Sequence, residues 1–186
     1  MKRIPAILLP LFFSCCLSAQ PAIRQYNKGV KWAAKINYQK AIGFFTKAIQ
    51  SDPVLTEAYF NRALAKSKLA DYHGAIADYS KAIQLRPGFA MAYNNRGCDK
   101  NELMEFAGAL EDYTKAIRQD SAYAMAWYNR GMVKTALEDY ASAISDFLQV
   151  NALQPDYPGI AEQVKKAQTG LVKKYWYVLT AVNINR

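Results

Sequence analysis

Residues 56–89 read TEAYFNRALAKSKLADYHGAIADYSKAIQLRPGF, and residues 90–123 read AMAYNNRGCDKNELMEFAGALEDYTKAIRQDSAY. Laid over each other, Ala63 falls on Gly97, Ala75 on Ala109, Tyr79 on Tyr113 and Ala82 on Ala116. The registers continue outward. Pro53, Pro87, Ser121 and Pro155 stand 34 residues apart, as do Gly29, Ala63, Gly97 and Gly131. Ala41, Ala75, Ala109 and Ala143 repeat likewise, and so do Ala48, Ala82, Ala116 and Val150. Aromatics recur at Tyr38, Tyr72, Phe106 and Tyr140, and again at Phe45, Tyr79, Tyr113 and Phe147. Such a period marks stacked supersecondary units, none of which can hide its apolar face alone.

Within each unit the apolar positions recur at helical spacing in two blocks, as in Tyr59, Ala63, Leu69 and then Tyr72, Ala75, Ile76, Tyr79, Ala82, Ile83. Small residues let helix axes approach, and the aromatics fill the space between. Asn37, Asp71 and Asp139 are expected N-caps of the second helices, with Glu105 a poorer one. The prolines end those helices, because proline lacks an N–H and disfavours a helical residue before it.

This pattern of large, small and proline positions resembles the tetratricopeptide repeat family. The resemblance covers four units, 22–55, 56–89, 90–123 and 124–157, within a repeat domain of 22–157. It implies an all-α, right-handed α-solenoid of four helix–turn–helix repeats. The family's inner-turn glycine is replaced by Ile36, Ala70, Met104 and Glu138, so a stiffer turn is expected there. Gln25 stands where later units carry an aromatic, so the helix at about 23–35 is expected to be the least well packed. After Pro158 the pattern changes. Ile160, Val164, Leu171 and Tyr175 form a stripe flanked by lysines, which predicts a capping helix over 158–175 within a C-terminal segment of 158–186. Tyr175-Trp176-Tyr177-Val178-Leu179 runs on apolar, either as extra packing or as a contact for a partner, a membrane or a second copy.

The family geometry puts the first helix of each pair on a concave groove. Asn61, Asn95 and Asn129, again 34 apart, are similar to the asparagine ladder of the O-GlcNAc transferases' repeats. A carboxamide both donates and accepts, so it can hold any peptide backbone; the bland alternative is solvated filler. Phe60, Asn94, Tyr128, Met91, Met125, Leu64, Cys98 and Met132 would complete a mixed apolar groove for an extended segment of a protein partner. The family's carboxylate clamp is not met: its five places hold Tyr26, Val30, Asn61, Met91 and Asn95, and only Asn61 matches. Arg62, Arg96 and Arg130, with Lys66, Lys100 and Lys134 and with Asp78, Asp112 and Asp146, are expected as solvated inter-helix pairs. The alternative turns the arginines toward acidic peptide in the groove.

The inventory is bare of catalytic chemistry. The chain has 186 residues, one histidine (His73) and three cysteines, with no phosphate loop, nucleophile elbow or ligand cluster. No enzyme activity, metal or cofactor is expected, and Cys98 and His73 sit in no common motif. The net charge of +9 gathers at the ends: residues 22–55 hold six basic residues against Asp52, and 158–186 hold five against Glu162. Nucleic-acid binding, which wants a continuous basic track, is not expected. Peripheral contact with a membrane or envelope polymer is.

Residues 1–19 read as an address. Met1-Lys2-Arg3 precedes an apolar stretch from Ile4 to Leu17, then Leu17-Ser18-Ala19, as in a secretory signal cleaved near Ala19. The rival is a bacterial lipoprotein signal with Cys15 or Cys16 lipidated, making the chain a lipid-anchored envelope assembly scaffold. The expected location is periplasmic or secreted under the first reading, and the outer membrane under the second.

Overall fold

The computed structural model describes residues 9–184, and the side-chain surroundings of residues 20–176. Among the described residues there are nine α-helices and no strand. They are α1 (Leu9–Ala34), α2 (Tyr38–Ser51), α3 (Thr56–Ser67), α4 (Tyr72–Leu85), α5 (Ala90–Glu102), α6 (Phe106–Gln119), α7 (Ala124–Ala136), α8 (Tyr140–Leu153) and α9 (Ile160–Ile184). The fold class is the all-α helical repeat that the period predicts. The helices fall into two compact units, Met1–Pro87 with α1–α4 and Gly88–Arg186 with α5–α9.

Each hairpin closes in the same way. Asn37 Oδ1 accepts from Lys40 N, Asp71 Oδ1 from Gly74 N and Asp139 Oδ1 from Ser142 N, while Glu105 makes no side-chain cap bond. At the inner turns, Asn37 N donates to Trp32 O, Asp71 N to Lys66 O, Glu105 N to Lys100 O and Asp139 N to Lys134 O. This six-to-one bond defines a Schellman end, which needs a left-handed residue just before it. Those residues are Ile36, Ala70, Met104 and Glu138, all at φ 58 or 59°. A side chain there costs about 1 kcal/mol, and a β-branched one fits worst. Ile36 is 75% exposed, so its side chain returns little packing. Ile36→Gly should therefore stabilise the chain by about 1 kcal/mol, read as a higher urea midpoint at unchanged slope.

The repeated small and aromatic positions make the core. Ala41, Phe45 and Ala48, Ala75 and Ala82, Ala109 and Ala116, and Ala143, Phe147 and Val150 are fully buried, with Tyr79 and Tyr113 nearly so. In the first unit Ala65 of α3 closes over Ala41 and Phe45 of the preceding hairpin. In the second unit Val133 of α7 closes over Ala109 and Tyr113, and Ile160 and Ala167 of α9 close over Phe147 and Val150. Within each unit, one hairpin thus lends the next the cover that neither has alone. Between Ile23 and Ala34 of α1 only Gly29 is buried, against Ala58, Ala63 and Ala65 in α3.

Two sequence expectations are corrected. The terminal helix begins at Ile160 and runs to Ile184, nine residues beyond the predicted end at 175; the Tyr175–Leu179 stretch continues it as helix. The side chains of Tyr177, Val178 and Leu179 lie outside the described surroundings, whereas Tyr175 and Trp176 are 64% and 60% exposed. The charge ladders do not lie in solvent. Arg62, Arg96 and Arg130 each grip one aspartate bidentately, Asp78, Asp112 and Asp146, at 2.6–2.9 Å. Lys66, Lys100 and Lys134 reach the same carboxylates at 2.7–2.8 Å. The aspartates are 5%, 0% and 2% exposed. Helical spacing placed these charges on facing helices but carried no measure of how much of the hairpin covers them. The arginines, held this way, do not reach out to a ligand.

The predicted address segment lies only partly within view: residues 1–8 are outside the described residues, and so are the side chains of Cys15 and Cys16. From Leu9 the helix α1 runs without a break past Ala19 and through Pro21. No helix among the described residues is long and apolar enough to cross a membrane.

Candidate functional site

In the second unit α5, α7 and α9 line an open cleft in two adjoining parts. The inner part, about 340 Å3, is lined by Cys98, Asn101 and Glu102 of α5, by Asn129, Met132, Val133 and Ala136 of α7, and by Tyr113 of α6. The outer part, about 710 Å3, shares Met132 and Ala136. It adds Thr135 and Tyr140 and, from α9, Glu162, Lys165, Lys166, Thr169, Gly170 and Lys173. The repeat explains the lining. Cys98 and Met132 are equivalent positions on α5 and α7, and Asn101/Glu102 and Thr135/Ala136 follow them one turn later on the same helix face.

Polar groups inside the cleft are cross-linked. Asn129 Nδ2 donates to Asn94 Oδ1 at 3.0 Å and to Cys98 Sγ at 3.4 Å, and Asn94 Nδ2 donates to Asn95 Oδ1 at 3.2 Å. Burial pushes the Cys98 thiol up, against a hydrogen bond with Tyr113 that pulls it down. Burial likewise raises the Tyr113 hydroxyl. A thiol held protonated is a poor nucleophile, and His73 lies exposed in the other unit. Among the described residues no three His, Cys, Asp or Glu side chains gather as a metal cluster would. The cleft presents Met132, the carboxamides of Asn101 and Asn129, and three lysines of α9, Lys165, Lys166 and Lys173.

The sequence-predicted groove residues meet different fates. Cys98, Asn129 and Met132 line the cleft, and Asn95 is half-buried beside it. Asn94 is 1% exposed and serves as an internal tie, so it does not present its amide to a ligand. It occupies the place where Tyr26, Phe60 and Tyr128 pack against Phe45, Tyr79 and Phe147, with ring centres 5.7–5.9 Å apart. A carboxamide there leaves a polar spot among Tyr113, Cys98 and Asn129. Tyr128 also meets Tyr157 at 5.1 Å. Met91 and Met125 are half exposed near the starts of α5 and α7 and line neither part of the cleft. In the first unit Leu64 is half-buried, and Asn61 Nδ2 is spent on Tyr26 Oη at 3.0 Å and Glu57 O at 2.9 Å.

Sequence reasoning missed Asn101, Glu102, Thr135, Ala136 and the α9 lysines. The first four could have been found by stepping three and four residues on from Cys98 and Met132. The lysines could not, because α9 lies outside the repeat and its angle of approach is set by packing.

The tetratricopeptide repeat family profile matches residues 56–89, and a second tetratricopeptide repeat profile matches 102–158. An uncharacterised protein of Methanocaldococcus jannaschii is 45% identical over 40 residues, which is 22% of this chain and 46% of that protein. The match thus spans less than half of that relative's length. Among solved structures, the crystal structure of a MamA protein is similar at a TM-score of 0.76 with 21% identity, covering 81% of this chain and 82% of that one. A tetratricopeptide repeat protein from Parabacteroides merdae is similar at 0.76 with 18% identity, covering 83% and 61%. At such identities the likeness bears on the fold, and it agrees with the hairpin geometry. With its 34-residue period, its Schellman-ended hairpins and these two profile matches, the chain belongs to the tetratricopeptide repeat family.

Proposed function

We propose that this protein is a non-catalytic interaction scaffold that seats an extended segment of a protein partner along the α5–α7–α9 cleft of its second unit. The tetratricopeptide fold supports a protein-binding role in general terms. The observation that supports the specific reading is that two open hollows adjoin on one face of α7: Met132 and Ala136 line both, between the mixed linings of α5 and α9. Met132 supplies an adaptable apolar contact at the centre, while Asn129 keeps its Oδ1 for a ligand N–H after its amide nitrogen is tied back. Export, with or without a lipid anchor, remains part of the proposal, supported by the residue pattern of 1–19; mass spectrometry of the mature N-terminus decides it.

Selection of a random dodecapeptide phage library on the purified chain tests the cleft. Peptides should enrich, and Met132→Arg should weaken their binding at least about tenfold by placing a charge in the cleft, read at a temperature where circular dichroism shows the variant folded, since Met132 also packs against the core around Phe147. Failure to enrich any peptide, or equal binding to the variant, would refute the reading.

A further inference from the structure

We propose that the face formed by α1 and α2 docks the protein on an anionic lipid surface. The first repeat departs from the other three at one set of positions. Where those carry Arg62/Lys66/Asp78, Arg96/Lys100/Asp112 and Arg130/Lys134/Asp146, it carries Lys28, Trp32 and Phe44. The buried aspartate that neutralises two cations in every later hairpin is here an aromatic ring.

The cations nonetheless remain, and they move outward. Arg24, Lys28, Lys31 and Lys35 are spaced by four, three and four residues, so they share one face of α1 over about 16 Å of helix. Lys40 and Lys47 join them from α2, and all six are exposed. Two rings gather four of the ammonium groups. Lys28 and Lys47 stand 5.8 and 5.6 Å from the centre of Phe44, and Lys35 and Lys40 stand 5.5 and 4.3 Å from that of Trp32. The four carboxylates of the first unit are all committed elsewhere. Asp52 accepts from Val54 N, Asp71 from Gly74 N, Glu57 pairs with Arg86, and Asp78 is held by Arg62 and Lys66. Four ammonium groups are thus held in pairs over two rings, with Arg24 and Lys31 on the same helix face and no ion pair to any of the six among the described residues, an arrangement that an external polyanion relieves.

Three features favour lipid headgroups over other polyanions. The two rings are covered by lysine ammonium groups, so they are not available to stack on bases as single-stranded nucleic acid requires. The hollow among Lys28, Lys31, Trp32 and Lys35, about 190 Å3, is open and small, suited to many headgroups in turn and not to one enclosed ligand. The same unbroken helix begins in the apolar run of Leu9, Leu11, Phe12 and Phe13, and an apolar segment joined to a lysine-rich one is a composition suited to a membrane surface. The stripe itself starts at Arg24, so it stays in place whether or not residues 1–19 are retained.

Cosedimentation of the full chain with phosphatidylcholine vesicles, with and without phosphatidylglycerol, tests this. Each surface lysine or arginine strengthens such binding several-fold. The expected preference for the anionic vesicles exceeds about a hundredfold at low salt and shrinks as salt rises. Changing Arg24, Lys28, Lys31 and Lys35 to Gln should remove most of it, whereas changing the three lysines to Arg should keep it. Changing Lys165, Lys166, Lys173 and Lys174 to Gln removes the same charge from α9 and should also keep it. Equal binding to both vesicles, an unaltered preference in the α1 variant, or loss in the α9 variant alone would overturn the proposal. Tighter capture of oligo-deoxythymidine or polyglutamate than of anionic vesicles would overturn it too, reassigning the face to nucleic acid or acidic protein.

Discussion

Asp112→Ala is expected to cost about 3–5 kcal/mol, as breaking a buried ion pair from one side does. The carboxylate is 1% exposed and receives Arg96 through Nε at 2.8 Å and Nη2 at 2.6 Å, with Lys100 Nζ at 2.7 Å. Alanine strands two cations whose side chains are only 14% and 17% exposed. Against a total stability of about 5–15 kcal/mol this is a large share. The melting temperature of a chain this size should fall by about 10 °C. Glu111→Ala is the matched control: its pair with Lys115 is 62% and 40% exposed, and losing it should move stability by less than about 0.5 kcal/mol. Urea unfolding of both variants reads the difference. A loss below about 1 kcal/mol at Asp112 would mean that the three-charge groups behave as solvated pairs after all. The first hairpin, built with Phe44 at that position, shows that the cost belongs to stranding charges and not to a general need for a carboxylate.

Phe147→Ala should cost a further class of energy, about 3–5 kcal/mol of lost burial and cavity. The ring is fully buried among Ala124, Ala143, Val150, Ile160 and Ala167, and Tyr128 packs against it at 5.9 Å. It also carries the backbone of α7: a Cβ built on Gly131 would lie 2.7 Å from the ring. Because Ile160 and Ala167 belong to α9, the truncation should loosen that helix first, and amide exchange along 160–171 should speed up more than exchange in α5. Uniform acceleration of the whole second unit, or no change in α9, would contradict the cluster's role in seating it.

The repeat was legible because period, small residues, caps and helix stops are local facts of sequence. Asn37, Asp71 and Asp139 cap where their side-chain chemistry says they should, and Glu105 does not. Burial depth was less legible. Asp78, Asp112 and Asp146 read as surface charges because nothing in a helical spacing tells how much of the facing helix covers a position. The asparagine positions looked equivalent because the period makes them so, yet each one's bonds depend on its neighbours. Asn61 ties to Tyr26, whereas Asn129 ties to Asn94, which replaces that aromatic one repeat earlier. The outer cleft was least legible of all. Its lysines come from α9, which follows no repeat and extends to Ile184, past the point where the amphipathic stripe of Ile160, Val164, Leu171 and Tyr175 ends.

Hydrogen–deuterium exchange of the chain with and without a library-selected peptide tests the central claim most directly. Protection should appear along α5, α7 and α9, at Cys98–Glu102, Asn129–Ala136 and Glu162–Lys173, while α6 and α8 change little. Protection confined to α6 and α8, or to the first unit, would show that the partner is held somewhere other than this cleft.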